Sequence, residues 1–125
     1  MRVLGVVWAG TRTERYDETM RFFRDLLGVP LEELGPDFAF SRLPDSSQFE
    51  VFGPADEDHR HFTTGPVVEF LVEDLPAAIE ELRRAGVEIL GVPHTEGLHG
   101  WVHFRGPDGN VYGLTSAPTY RRPTG

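Results

Sequence analysis

The sequence predicts an α+β chain built from two tandem βαβββ modules, and three observations point that way. Two amphipathic helical segments each stop at a glycine, and each is preceded by one strand-like segment and followed by three. The two helices also close alike, on Phe23-Arg24-Asp25-Leu26-Leu27-Gly28-Val29 and on Leu82-Arg83-Arg84-Ala85-Gly86-Val87. A duplicated supersecondary unit is the economical account of such self-similarity. A generic α+β sandwich with no internal symmetry is the alternative.

In chain order, Val3 to Ala9 reads as the first strand, rich in β-branched residues. The first helix follows. Tyr16, Met20, Phe23 and Leu27 fall on one stripe, widened by Phe22 and Leu26, with Gly28 as terminator and Pro30 as a block to continuation. Strand segments are expected around Leu31–Leu34, Phe38–Leu43 and Gln48–Phe52, separated by Gly35-Pro36-Asp37 and Pro44-Asp45-Ser46-Ser47. Val67 to Val72 opens the second module. Its helix starts near Asp74 with Pro76 in the first turn, buries Leu75, Ile79, Leu82 and Ala85, and stops at Gly86. Segments around Val87–Leu90, Trp101–Arg105 and Val111–Leu114 complete it, the last two joined by Gly106-Pro107-Asp108-Gly109-Asn110.

The 125 residues fit one compact domain or two small repeats sharing a core. The expected layout is a single domain over 1–118, with module one at 1–54, a polar linker at 55–65 and module two at 66–118. A flexible tail covers 119–125 and carries the one basic cluster, Arg121-Arg122. There is no cysteine, which excludes disulfides, thiolate metal sites and a cysteine nucleophile. The net charge of −8 argues against a nucleic-acid partner. Met1 to Val7 is too short an apolar run for a signal peptide or a membrane span, so a cytoplasmic location and no membrane partner are expected.

Four segments together resemble the glyoxalase, bleomycin-resistance and extradiol-dioxygenase superfamily, the vicinal oxygen chelate fold. They are Thr19 to Gly28, Phe49-Glu50-Val51-Phe52-Gly53-Pro54, Val72-Glu73-Asp74-Leu75-Pro76-Ala77-Ala78, and Phe104-Arg105-Gly106-Pro107-Asp108-Gly109-Asn110. The resemblance implies a cup-shaped mixed β-sheet with helices on its outer face. In metal-dependent members it also implies four ligand positions facing the cup, which fall here on Trp8, Glu50, Val67 and Gly113. Only Glu50 has a donor side chain, and one carboxylate is not a site. No metal and no other cofactor is therefore expected. His59, His61, His94 and His99 read as surface residues in polar loops, with recruitment into a metal cluster as the sharper alternative.

Strand parity then fills the cup. With Trp8 and Glu50 facing it, Val6, Gly10, Gln48 and Phe52 share their sides, followed by Val67, Glu69 and Leu71. Trp101, His103 and Arg105 face the cup from the strand whose Val102 and Phe104 lie beneath the helices, and Phe38, Phe40 and Arg42 are assigned there too. The candidate ligand-binding set is therefore Trp8, Phe38, Phe40, Arg42, Gln48, Glu50, Val67, Glu69, Trp101, His103 and Gly113. Aromatic walls with a few polar groups suit a small-molecule pocket. Trp8 and Trp101 are expected to stack on a planar ligand, or else to pack together or against a dimer partner.

Glu50 and His103 are the candidate acid–base pair, the alternative being an ion pair of Glu50 with Arg42 or Arg105. The leading expectation is a metal-independent binding protein for a planar or aromatic molecule, acting as a homodimer. A lyase or isomerase, or a glyoxalase- or dioxygenase-like enzyme, is the alternative, and a purely structural dimer with a filled cup is the third.

Overall fold

The structure is a computed structural model that describes residues 1–96 and 99–116. The expected tail at 119–125 lies outside the described residues. In chain order the elements are β1 (Val3–Arg12), α1 (Tyr16–Arg21, continued as a π-helical turn Phe22–Leu26), β2 (Glu32–Gly35), β3 (Phe38–Arg42) and β4 (Gln48–Phe52), then β5 (Val67–Val72), α2 (Leu75–Arg84), β6 (Ile89–Glu96), β7 (His99–Arg105) and β8 (Val111–Thr115). The eight strands form one mixed sheet in the order β2-β3-β4-β1-β5-β8-β7-β6. Read outward from its middle, each half repeats one pattern. The first strand of a module pairs parallel with its last, β1 with β4 and β5 with β8, and the remaining pairs are antiparallel. The α+β fold with βαβββ repeats and outer helices is the architecture the sequence predicts.

The halves join through antiparallel β1 and β5, whose register shifts between Val3 and Gly5 and again between Val6 and Trp8. One face of the sheet carries the helices. Leu75, Ala78, Ile79 and Leu82 of α2 bury against Val72, Val102 and Leu114, while Tyr16 and Met20 of α1 bury against Ala39 and Val51. The alternate residues turn to the other face, so His103 on β7 and Glu50 on β4 face away from the helices.

α2 has the start its sequence promises, since the Asp74 carboxylate accepts from the Ala77 backbone N–H at 3.0 Å. Ala78, rather than the expected Ala85, completes its buried stripe. The first helix departs further. Tyr16 and Met20 are buried, but Phe22, Leu26 and Leu27 remain 49%, 72% and 57% exposed. The π-helical turn widens the winding there and rotates these residues off the stripe that a 3.6-residue period assigns them. β6 begins later than expected and runs to Glu96. It is an edge strand, where Pro93 is tolerated, and its register with β7 slips between Leu90 and His94. Among the described residues, no helix is long and apolar enough to cross a membrane.

Candidate functional site

The concave face holds a cavity of about 390 Å³. β1, β3 and β4 supply Trp8, Phe38, Gln48, Glu50 and Phe52, and β5, β7 and β8 supply Glu69, His99, Gly100, Trp101, His103 and Thr115. Asp56, Asp58 and His59 enter from the segment between the modules. Phe52 lines it as strand parity expects, whereas Val6, Gly10, Leu71 and Arg105 do not, and seven of the eleven candidate ligand-binding residues meet here: Trp8, Phe38, Gln48, Glu50, Glu69, Trp101 and His103. The other four do not line it. Val67 is fully buried among Trp8, Phe52 and Phe62, and Gly113 has no side chain to offer. Phe40 and Arg42 lie beyond the cavity toward the sheet edge, where the Arg42 guanidinium stands 5.9 Å from the Phe40 ring centre. Parity gives a residue's face, but not how far along that face the cavity extends.

Trp8 is a buried wedge rather than an open platform, at 7% exposure. Its benzo ring lies where a side chain at position 10 would stand, since a Cβ on Gly10 would come within 2.2 Å of Cη2. The indole packs against Phe52 and edge-on to Phe62, and its Nε1–H donates to Glu50 Oε2 at 2.6 Å. Burial lifts the Glu50 carboxyl to about 7; the indole hydrogen bond pulls the other way, while the charges of Glu69 and Asp56 add to the rise. The expected ion pairs of Glu50 do not form. Arg42 donates to the Ser46 carbonyl, and Arg105 binds Glu88 and the Gly109 carbonyl. Trp101 is 36% exposed and stacks on His94, with ring centres 4.0 Å apart and an interplanar angle of 11°.

The segment between the modules is a wall of the site, which is the main correction to the sequence reading. Arg12, at the end of β1, donates to the carbonyls of Pro54 and Asp56, and Thr64 Oγ1 accepts from the Val111 N–H. Pinned at both ends, the segment turns inward and buries Phe62 to 3% exposure. The Asp56 carboxylate accepts from the His59 N–H and lies 3.1 Å from its Nδ1. The His59 ring stacks on Phe52 at 3.8 Å, extending the Phe38–Phe52 stack. His59 and His61 are thus half-buried rather than surface residues. The available signal was Phe62, the only large apolar side chain in an otherwise polar linker.

His103 finds its carboxylate in Glu69, not Glu50. Its Nε2 lies 2.9 Å from Glu69 Oε2 and its Nδ1 lies 2.9 Å from His61 Nε2. Burial pushes the Glu69 carboxyl up and the His103 imidazole down, and His61 falls to about 4 through burial and the neighbouring imidazoles. Neutral forms are favoured along the whole chain. A proton can be held anywhere between the carboxylate and His61, because both ring nitrogens of His103 are in hydrogen bonds and their donor and acceptor roles reverse together.

The donor chemistry does not fit the metal that the resemblance associates with this cup. At the four expected positions an indole fills one, valine packs into the core at another, and Glu69 leans over Gly113 at a third. Glu50, the fourth, is engaged by Trp8. Among the described residues, no three His, Asp or Glu side chains form a metal-holding group.

Fold and cup together define the class of protein. The chain belongs to the Glyoxalase/Bleomycin resistance protein/Dioxygenase superfamily, whose family model matches residues 5–113. Among solved structures, a superfamily member from Vibrio splendidus is 17% identical with a TM-score of 0.64, over 88% of this chain and 96% of that one. Methylmalonyl-CoA epimerase from Mycobacterium tuberculosis is 22% identical with a TM-score of 0.64, over 90% and 87%. The Streptomyces coelicolor methylmalonyl-CoA epimerase (E43L) is 15% identical with a TM-score of 0.67, over 98% and 100%. At such identities the likeness carries the fold alone. The sequence has no match among curated proteins.

Proposed function

We propose that this chain is a metal-independent binding protein that takes a planar organic molecule bearing a positive charge into its cup. The observation that carries the reading is the lining. It joins Trp8, Phe38, Phe52 and Trp101 to four carboxylates, Glu50, Asp56, Asp58 and Glu69, and among the described residues it contains no lysine or arginine. Apolar rings with a few convergent polar groups are the make-up of small-molecule sites. A cation over such rings gains about 0.5–1 kcal/mol at an exposed site and about 2 kcal/mol or more when desolvated. An anionic ligand would meet four acids and no counter-charge. This disfavours a carboxylate or acyl-phosphate ligand.

The test is a tryptophan-fluorescence titration with three flat compounds of similar size: cationic N-methylquinolinium, neutral methylnaphthalene and anionic naphthoate. The expected affinity order is cation, neutral compound, anion. If naphthoate bound tightest, the reading would be wrong.

One observation favours a second reading, a metal-free lyase or isomerase. A buried carboxylate coupled to two imidazoles is proton-transfer equipment. In that reading Glu69, rather than Glu50, is the partner of His103. Turnover of a bound compound, lost in His103→Gln, would put it ahead.

A further inference from the structure

A cavity whose lining holds four acids and, among the described residues, no lysine or arginine has to keep those acids uncharged or balance them from outside. Glu69 poses the problem most sharply. It is 5% exposed, faces the cavity, and hydrogen-bonds to His103. Its place is made by Gly113, where a Cβ would lie 2.6 Å from Glu69 Cγ. Behind Glu69 the chain of hydrogen bonds leads away from the cavity. His103 continues to His61, which is half-buried, has its Cε1 3.3 Å from where a Cβ on Gly91 would stand, and does not line the cavity.

The protonation count follows from geometry. As a carboxylic acid beside a neutral imidazole, or as a carboxylate beside an imidazolium, the Glu69–His103 pair is uncharged and carries one exchangeable proton. Of the titratable groups around the pair, Glu50 on β4 and His59 and His61 on the segment between the modules interact with it directly, while Asp56, Asp58 and Arg60 act on those neighbours.

We infer that the site exchanges a proton for its cationic ligand, with Glu69 becoming the counter-ion and the proton leaving through His103 and His61. The inference rests on the cation-binding reading above and adds how the charge is handled. The step balances. The O–H of Glu69 breaks as an N–H forms on His103 Nε2, His103 Nδ1 passes a proton to His61 Nε2, and His61 Nδ1 gives one to water. One positive charge enters and one leaves, so the buried site never holds an unbalanced charge. The neutral resting forms that burial favours along this chain agree with it.

The experiment mixes the whole protein with N-methylquinolinium, which has no proton to lose, in weak buffer containing a pH indicator. The expected result is release of about one proton per ligand at about pH 6.5, with Kd weakening about tenfold per unit of acidification. Methylnaphthalene should release none. Glu69→Gln should bind quinolinium more weakly and without proton release, whereas His61→Gln should release the same number more slowly. Quinolinium that binds with no release, or with a Kd flat between about pH 6 and 8, overturns the exchange and leaves the cation-binding reading standing. Release that survives in Glu69→Gln also overturns it. Quinolinium that does not bind at all overturns both. If the Glu69 variant fails to fold, Glu50→Gln decides the matter, since Glu50 lines the same cavity with a raised carboxyl: one proton still released per quinolinium keeps the exchange at Glu69, and loss of the release overturns it.

Discussion

Trp8 and Gly10 work as a unit. The indole can lie flat across the strand only because position 10 has no side chain, and there it supplies the hydrogen bond that Glu50 receives. Gly10→Ala would drive a methyl into the benzo ring. Overpacking of this kind typically costs about 1–3 kcal/mol, to be read from urea denaturation. Trp8→Phe keeps most of the packing but removes the Nε1–H donor, which holds the Glu50 carboxyl down. Its titration, followed by carboxyl NMR, should therefore move above the wild-type value of about 7. A lower value would mean that the indole is not what restrains Glu50. From sequence, the indole could be placed on the cup face but not told apart from a stacking platform. That difference lies in how little of the ring remains exposed, which is a matter of neighbours.

At the level of elements, the second helix is well determined by its own residues and the first is not. Asp74 caps α2 through the Ala77 N–H, and Asp74→Ala should cost about 0.5–2 kcal/mol in the same denaturation experiment. A cost near zero would assign the helix start to packing alone. Because cap, apolar stripe and terminating Gly86 agree, α2 is legible in the sequence itself. The first helix has no side-chain cap and unwinds into a π turn, so its periodicity misplaces Phe22, Leu26 and Leu27. Strand alternation correctly sends Gln48, Glu50, Glu69, Trp101 and His103 to one face. The inter-module wall is not legible, because Asp56 and His59 are positioned by Arg12 and Phe62 through contacts distant in sequence or set by burial.

For the whole molecule, the buried acids and imidazoles set opposing pH dependences. Glu50 and Glu69 titrate higher in the folded chain than their ordinary value of 4.5. The stability they contribute is fully present below that value and is lost as pH rises through their folded range. His59, His61 and His103 titrate below 6.5, so their contribution is lost as pH falls below it. Between about 4.5 and 6.5 the two trends offset. Above 6.5 only the carboxyl trend remains, so the melting temperature should fall toward about pH 8, and Glu50→Gln should flatten that decline. A melting temperature that rises over this range would contradict the buried, uncharged acids.

The register slips in the β1–β5 seam have a consequence for how such a cup can change. A bulge bends its strand, and these slips sit where the two halves of the sheet meet, at Val3 to Gly5 and Val6 to Trp8. The angle between the cup walls is therefore set by backbone irregularities in a stretch whose Val3, Leu4 and Val6 side chains are exposed to solvent. Gaining or losing one residue there would deepen or flatten the cup while leaving the acids and rings of its lining as they are. The width of the cup and the charge of its lining are thereby written in separate parts of the chain and can drift independently.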